Sequence, residues 1–256
     1  MAEPIDPRAG RKGLFTGEIE RALGTGEIDV AVHSAKDLPS EMTVGLELSA
    51  VLSRAPVDDI LITGDGGKAA GKIATGSVRR QHQLRWKFPG VEIAELRGNV
   101  PTRLRKFLGS DWRGIVLARA GLERLGYNLT AGSFEFEGRI LRAERLSTDD
   151  FLPAGGQGII ALQVRADDEK TKALVAAVND AGTFACLRAE REFLRLLEGD
   201  CGSPVGVLAT ISGKDMAVRA QVFGPPRVEP CTAEAEGDAD SPMKLARELW
   251  EKINAG

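Results

Sequence analysis

Cysteine is scarce in this 256-residue chain: there are three, Cys186, Cys201 and Cys231. An odd, sparse set without clustered spacing argues against a disulfide framework and against a zinc site. Long apolar runs are missing as well. None would span a bilayer, and the polar, proline-containing residues 1–10 lack the apolar centre of a signal peptide. The expectation is a reduced, cytoplasmic protein with no membrane partner. Strong charge of one sign is absent: the net charge is −3, so no whole-protein field draws in nucleic acid. Aromatic residues make up only 5% of the chain and no basic stripe runs along it, which weakens a nucleic-acid reading further. No glycine-rich run ends in Gly-Lys-Ser/Thr, so the usual nucleotide phosphate loop is excluded. No internal repeat or low-complexity tract appears.

What is there is globular. The chain is 43% hydrophobic and 28% charged, with length enough for two or three domains. Its organising stretch is Glu198-Gly199-Asp200-Cys201-Gly202-Ser203-Pro204, a cysteine between two glycines after a helical run and before a strand. The glycines permit tight backbone angles and Pro204 closes the turn, so the thiol is held on an open loop. An incidental surface cysteine is the competing reading, since most free cysteines are inert.

Periodicity lays out the rest. A helix follows Lys12, with Phe15, Ile19 and Leu23 on one face and Gly24 and Gly26 at its end. Residues 28–32 read as a buried strand, followed by His33-Ser34-Ala35-Lys36-Asp37-Leu38-Pro39. Ligands of open α/β sheets bind at the carboxyl ends of strands, so that polar cluster is well placed for chemistry. A polar strand end with His33 as a satisfied core histidine is the alternative. Strands are expected at 46–52 and from 58, with the break at Arg54-Ala55-Pro56 marking a domain crossing.

A short strand at 72–74 leads to a helix capped by Ser77 and stopped by Pro89-Gly90. Arg79 and Arg80 lie in its first turn, where the helix dipole disfavours cations. Two arginines there point to an anion between them and the free backbone N–H groups, or else to a solvated pair. Strand 91–96 ends at Arg97-Gly98-Asn99, and the next helix carries Pro101, Arg103 and Arg105. Strand 114–118 is followed by Arg119 and Arg124. Three successive strand ends with arginine imply a basic cleft in a mildly acidic protein, suited to a ligand with several carboxylates or phosphates. The Gly/Pro-rich link 151–158 reads as the return crossing, followed by a strand at 159–164. Helices at 171–178 and 183–197, a hairpin at 205–211 and 216–223, a strand at 227–235 and a last helix beginning at Pro242 complete the chain. Cys186 falls inside a helix as a packed thiol.

Taken together, the ordered segments Lys12-Gly13-Leu14-Phe15, Val32-His33-Ser34-Ala35-Lys36-Asp37-Leu38-Pro39, Thr75-Gly76-Ser77-Val78-Arg79-Arg80-Gln81, Leu96-Arg97-Gly98-Asn99-Val100, Ala120-Gly121-Leu122, Gly156-Gln157-Gly158 and Glu198-Gly199-Asp200-Cys201 resemble the porphobilinogen deaminase (hydroxymethylbilane synthase) family. Each segment is weak alone; the ordered set, spread over nearly the whole chain, is specific.

The resemblance implies an α/β fold with two doubly wound, periplasmic-binding-protein-like domains and a small C-terminal α+β domain. The expected division is 1–54 with 153–172 for domain 1, 57–150 for domain 2 and 176–256 for domain 3. It implies a transferase that joins four porphobilinogen molecules head to tail, releasing ammonia each time, to give linear hydroxymethylbilane. A dipyrromethane cofactor is implied on Cys201 through a thioether, with Lys36, Ser34, Ser77, Arg79, Arg80 and Asp37 around it. Lys12, Arg97, Asn99, Arg103, Arg124 and Gln157 are the implied substrate ligands, and the chain is expected to act as a monomer. Asp37 is the expected catalytic carboxylate, beside the pyrrole nitrogen that becomes positive as ammonia leaves. A thiolate suits the electrophilic carbon of the same chemistry.

The family pattern has a strand–helix–strand unit before the Lys-Gly-Leu-Phe segment, its first strand ending in an active-site serine and arginine. Here Lys12 lies almost at the start. The expectation is therefore a domain 1 lacking a central strand, and a chain that is poorly stable or weakly active. A non-catalytic clamp for a polycarboxylate, or an inactive fragment, are the alternatives.

Overall fold

The structure is a computed structural model that describes residues 11–64, 71–198, 203–225 and 228–255, with the backbone alone for 11–15. Helix α1 (Arg11–Gly24) leads to strand β1 (Ala31–Ser34), a single 3-10 turn (Ala35–Asp37) and β2 (Leu46–Val51). Then come β3 (Asp59–Gly64), β4 (Ile73–Ala74), α2 (Val78–Lys87), β5 (Ile93–Ala94), α3 (Val100–Leu108), β6 (Gly114–Ala118), α4 (Arg119–Glu123), β7 (Ser133–Phe136) and β8 (Arg139–Leu146). The chain returns through β9 (Ile160–Arg165) and α5 (Glu169–Ala176). It ends with α6 (Ala181–Leu196), β10 (Val205–Ser212), β11 (Asp215–Val222), β12 (Cys231–Asp238) and α7 (Pro242–Ala255).

The fold is mixed α/β, built on three sheets. The first has the order β1-β9-β2, with both pairings antiparallel. The second has the order β5-β4-β6-β3-β8-β7. Its β5, β4 and β6 run parallel, whereas β3 is antiparallel to β6 and β8. This mixture places the amino end of β3 beside the carboxyl ends of the parallel strands. The third sheet, β10-β11-β12, is an antiparallel meander. Phe193 of α6 and Leu245 and Leu249 of α7 close its core over Val207, Val218 and Ala235.

Two expected strands are displaced. β1 begins at Ala31, not at residue 28. Its register pairs Ala31 with Gln163, so residue 28 would fall opposite Ala166, one past the end of β9 at Arg165. The Arg165 guanidinium instead takes the Ile28 carbonyl and the Asp29 carboxylate, each at 2.7 Å. The expected full burial of this strand is also corrected. Ala31 and His33 face inward, but Val32 on the opposite face is 62% exposed. β12 runs from Cys231 to Asp238, because it pairs along the whole of β11 from Val222 to Asp215. Arg227, where the sequence starts that strand, lies outside the described residues.

The hairpin β7–β8 went unrecognised in the sequence, although its signal is present. Phe134 and Phe136 alternate inward and pack on Tyr127, with ring centroids 5.0 and 6.2 Å apart. Glu137 and Gly138 between the strands have φ of 48° and 76°, the left-handed pair that a two-residue hairpin turn requires.

Candidate functional site

The site forms where the sheet topology gathers polar groups. α2 starts three residues after β4, with Ser77 accepting from the Arg80 N–H as its cap. The first turn of α2 therefore stands at the carboxyl end of the parallel strands, next to Asp59 at the start of β3. Arg79 Nη2 donates to Asp59 Oδ2 at 2.9 Å and Arg80 Nη2 to Asp59 Oδ1 at 2.7 Å. The anion that the sequence places between these arginines is thus a carboxylate of the chain itself. Burial alone would raise the Asp59 pKa; Arg80 and then Arg79 outweigh it and hold the carboxyl far below its usual range. Leu152 O also accepts from Arg79 Nη1, and Val116 O from Arg80 Nη1. Each guanidinium retains one buried donor, Nε, that no acceptor among the described residues meets.

Gln157 ties this pair to the end of β1. Its Nε2 donates to Asp59 Oδ1 at 2.8 Å and to the Val57 carbonyl at 2.7 Å, and its Oε1 accepts from Lys36 Nζ at 3.2 Å. The backbone permits this approach only because position 156 is glycine. Its φ is +74°, and a Cβ there would lie 2.9 Å from the Ala35 carbonyl carbon. Lys36 is pushed down to about 7, first by burial and then by Arg80, against the opposing pull of Asp37 and Asp59. Arg103 of α3 is lowered by burial and by Arg80, again opposed by Asp37. Arg80 and Asp37 therefore act on both Lys36, from the first sheet's end, and Arg103, on α3.

A cavity opens beside this network. Lys36, Ser40, Ser77, Arg79, Arg191 and Ser203 supply its polar lining, and no Asp or Glu among the described residues lines it. Arg191 reaches in from α6, donating to the Ser40 carbonyl at 3.0 Å. Ser203, which lines the cavity, is two residues from Cys201 in the sequence; Cys201 itself lies outside the described residues. The donor set fits a dipyrromethane, whose two rings carry four carboxylates. Among the described residues, cations and hydroxyls surround the space, two guanidinium N–H groups meet no acceptor, and burial lowers the Lys36 pKa to about 7.

The other sequence-derived candidates have varied surroundings. Asn99 accepts from the Thr102 N–H and caps α3. Arg97 is exposed and donates to Glu95 at 2.6 Å. Arg124 donates to the Gly158 carbonyl at 2.9 Å, bracing the return link. Ser34 ends β1, half-buried. None of these four lines the cavity. The side chain of Lys12 lies outside the described residues. His33 is the satisfied core histidine, 2.9 Å from Gln163 Oε1. Cys186 is packed, its thiol pushed up to about 11 by burial and then by Glu190. Sequence reasoning missed Asp59, Ser40 and Arg191. Asp59 left one sign, an acid at the head of an otherwise apolar strand; Arg191 left none, being one charge among several on a helix.

Comparison with known proteins gives a consistent picture. A family model described as "Porphobilinogen deaminase, dipyromethane cofactor binding domain" matches residues 4–173, and one described as "Porphobilinogen deaminase, C-terminal domain" matches residues 184–255. The porphobilinogen deaminase of Moorella thermoacetica is 39% identical over 253 residues, covering 97% of this chain and 77% of that protein. That of Syntrophotalea carbinolica is 45% identical over 216 residues, covering 82% of this chain and 65% of its own length.

Proposed function

The chain belongs to the porphobilinogen deaminase family, and from that premise we propose which of its residues carry the reaction. Its function is that of a porphobilinogen deaminase, a transferase of tetrapyrrole biosynthesis. The reading divides the chain into 1–54 with 153–172, 57–150 and 176–256, a division supported by the three separate sheets. It takes the protein as a cytoplasmic monomer; among the described residues no helix is long and apolar enough to cross a membrane.

The observation that carries the assignment of residues is the cavity itself, lined by cations and hydroxyls and bordered by Ser203. Bound to Cys201, the dipyrromethane supplies the pyrrole carbon from which the product grows. Lys36, Ser77 and Arg79 hold its carboxylates, and Arg191 adds a cation from the third sheet's helix. Arg80 acts mainly by fixing Asp59, and Gln157 by joining Asp59 to Lys36. Arg103, close enough to respond to Asp37, takes a carboxylate of the incoming porphobilinogen. Arg97, Arg124, Asn99, Ser34 and Lys12 remain proposed ligands along the path to that space. Loss of ammonia from porphobilinogen leaves an electron-poor ring with a positive nitrogen. The amine, protonated in the substrate at neutral pH, leaves as ammonia, and the Asp37 carboxylate stabilises the positive charge as it develops on the ring.

The test is intact-mass measurement together with turnover on residues 1–256. A covalent dipyrromethane increment is expected, lost in Cys201→Ala. Asp37→Asn is expected to lower turnover about 100-fold or more while the increment persists. An unchanged rate in Asp37→Asn removes that residue from its role. An unmodified protein that still binds carboxylates favours the non-catalytic clamp.

A further inference from the structure

Two buried glutamines connect the third sheet to Arg79. Gln221 lies on β11 and Gln83 one turn beyond Arg79 on α2; neither is more than 2% exposed. A buried amide is costly unless its groups are paired, and these two are paired in a particular sense. Gln221 Nε2 donates to the Asp150 carbonyl at 3.0 Å. Gln221 Oε1 accepts from Leu152 N at 3.3 Å and from Gln83 Nε2 at 2.9 Å. Gln83 Nε2 donates also to the Leu152 carbonyl at 2.8 Å, and Gln83 Oε1 is left to accept from Arg79 Nη1 at 2.7 Å. Arg79 Nη1 donates to the same Leu152 carbonyl at 2.7 Å. Hydrogen-bond complementarity assigns both amide orientations: turning Gln83 over would set its NH2 against the arginine N–H.

The two acceptors of Arg79 Nη1 are therefore both held by one side chain. We propose that Gln221 is a positioning residue for Arg79, setting the direction of its guanidinium from the third sheet and so the cavity's readiness for a carboxylate. This rests on the reading of Arg79 as a carboxylate ligand. Asp59 fixes Nη2 and the Gln221-held pair fixes Nη1, so the plane of the fork is set at both ends and Nε points one way. Apolar residues pack the same interface: Phe223 lies 5.7 Å from His82 and 6.2 Å from Trp86 between ring centroids. Removing part of that contact loosens the interface without touching the amides.

The experiment compares Gln221→Leu, Gln221→Glu and Phe223→Leu in the full chain by arginine side-chain NMR, the Arg79 Nη–H signals being assigned by their loss in Arg79→Lys. Arrested rotation gives Arg79 separate Nη–H signals in the parent protein. They are expected to merge in Gln221→Leu, to persist in Gln221→Glu, which keeps the acceptor for Gln83 and Leu152, and to persist in Phe223→Leu even where its melting temperature falls. Cofactor incorporation, followed by intact mass, is expected to slow about tenfold in Gln221→Leu alone. Signals unchanged in Gln221→Leu, or merged equally in Phe223→Leu, overturn the proposal. If Gln221→Leu does not fold, loss of the signals in a folded Gln221→Glu overturns it too. Normal incorporation in Arg79→Lys, with the NMR contrast intact, instead removes Arg79 from the proposed ligands and leaves the positioning standing.

Discussion

Lys36 is a cation in surroundings that resist its charge, and pH reports it. In the unfolded chain its pKa is near 10.5; in the folded chain it is about 7. Between those values the unfolded chain binds more protons, so this residue makes stability rise with pH across that window. Its penalty is full below about pH 7 and vanishes above 10.5. Without bound cofactor, urea midpoints of the parent chain should therefore climb from pH 7 to pH 9 relative to those of Lys36→Met. Equal slopes would show that Lys36 keeps its ordinary pKa. A carboxylate held by Lys36 reverses the depression, so the cofactor-free chain should take up protons at pH 8 when porphobilinogen occupies the cofactor's place, read by calorimetry in buffers of different ionisation enthalpy. At this scale Arg79 and Arg80 were legible, because arginines in the first turn of a helix contradict its dipole, whereas Arg191 was not. Nor was Asp59, the partner of the first two. It lies some twenty residues earlier in the chain and meets them only because β3 runs against its neighbours in the sheet.

The elements were legible wherever periodicity was strong and a cap or a glycine marked the end, as in α2, α3 and α6. They were misread where a partner strand set the boundary. β1 starts only after Ile28 and Asp29, which the Arg165 side chain of β9 takes, and β12 is as long as β11; neither limit is written in the strand's own residues. The Gly-Gln-Gly turn between the link and β9 has a testable demand. Gly156→Ala must hold an L-residue at φ +74° and press its Cβ against the peptide that joins Ala35 to Lys36. The expected loss is about 1–3 kcal/mol of stability by chemical denaturation, with slower cofactor incorporation as Lys36 shifts. Gly138→Ala meets the same backbone constraint with no atom within 4 Å, so its turnover should stay normal. Matching incorporation rates for the two variants would refute the packing argument.

Across the whole molecule, one buried carboxylate joins the three sheets. Glu190 on α6 takes both Nη atoms of Arg54, at 2.6 and 3.1 Å, and accepts from the backbone N–H groups of Gly156 and Ala209. Arg54 in turn donates to the Gln157 carbonyl at 3.0 Å. The outgoing passage, the return passage and β10 thus meet at one ion pair. Glu190→Gln leaves the largely buried guanidinium without its counter-charge, with an expected cost of about 3–5 kcal/mol by denaturant titration. A loss below 1 kcal/mol would mean that the pair is not what unites the sheets.

The two passages also touch directly, Ala55 N donating to the Gly158 carbonyl at 3.0 Å, and β10 fastens to the second of them through Val207 N and the Pro153 carbonyl at 2.9 Å. Torsion of the first sheet against the second therefore works against a crossbar formed by the third. Such a frame yields by slight sliding more readily than by gaping.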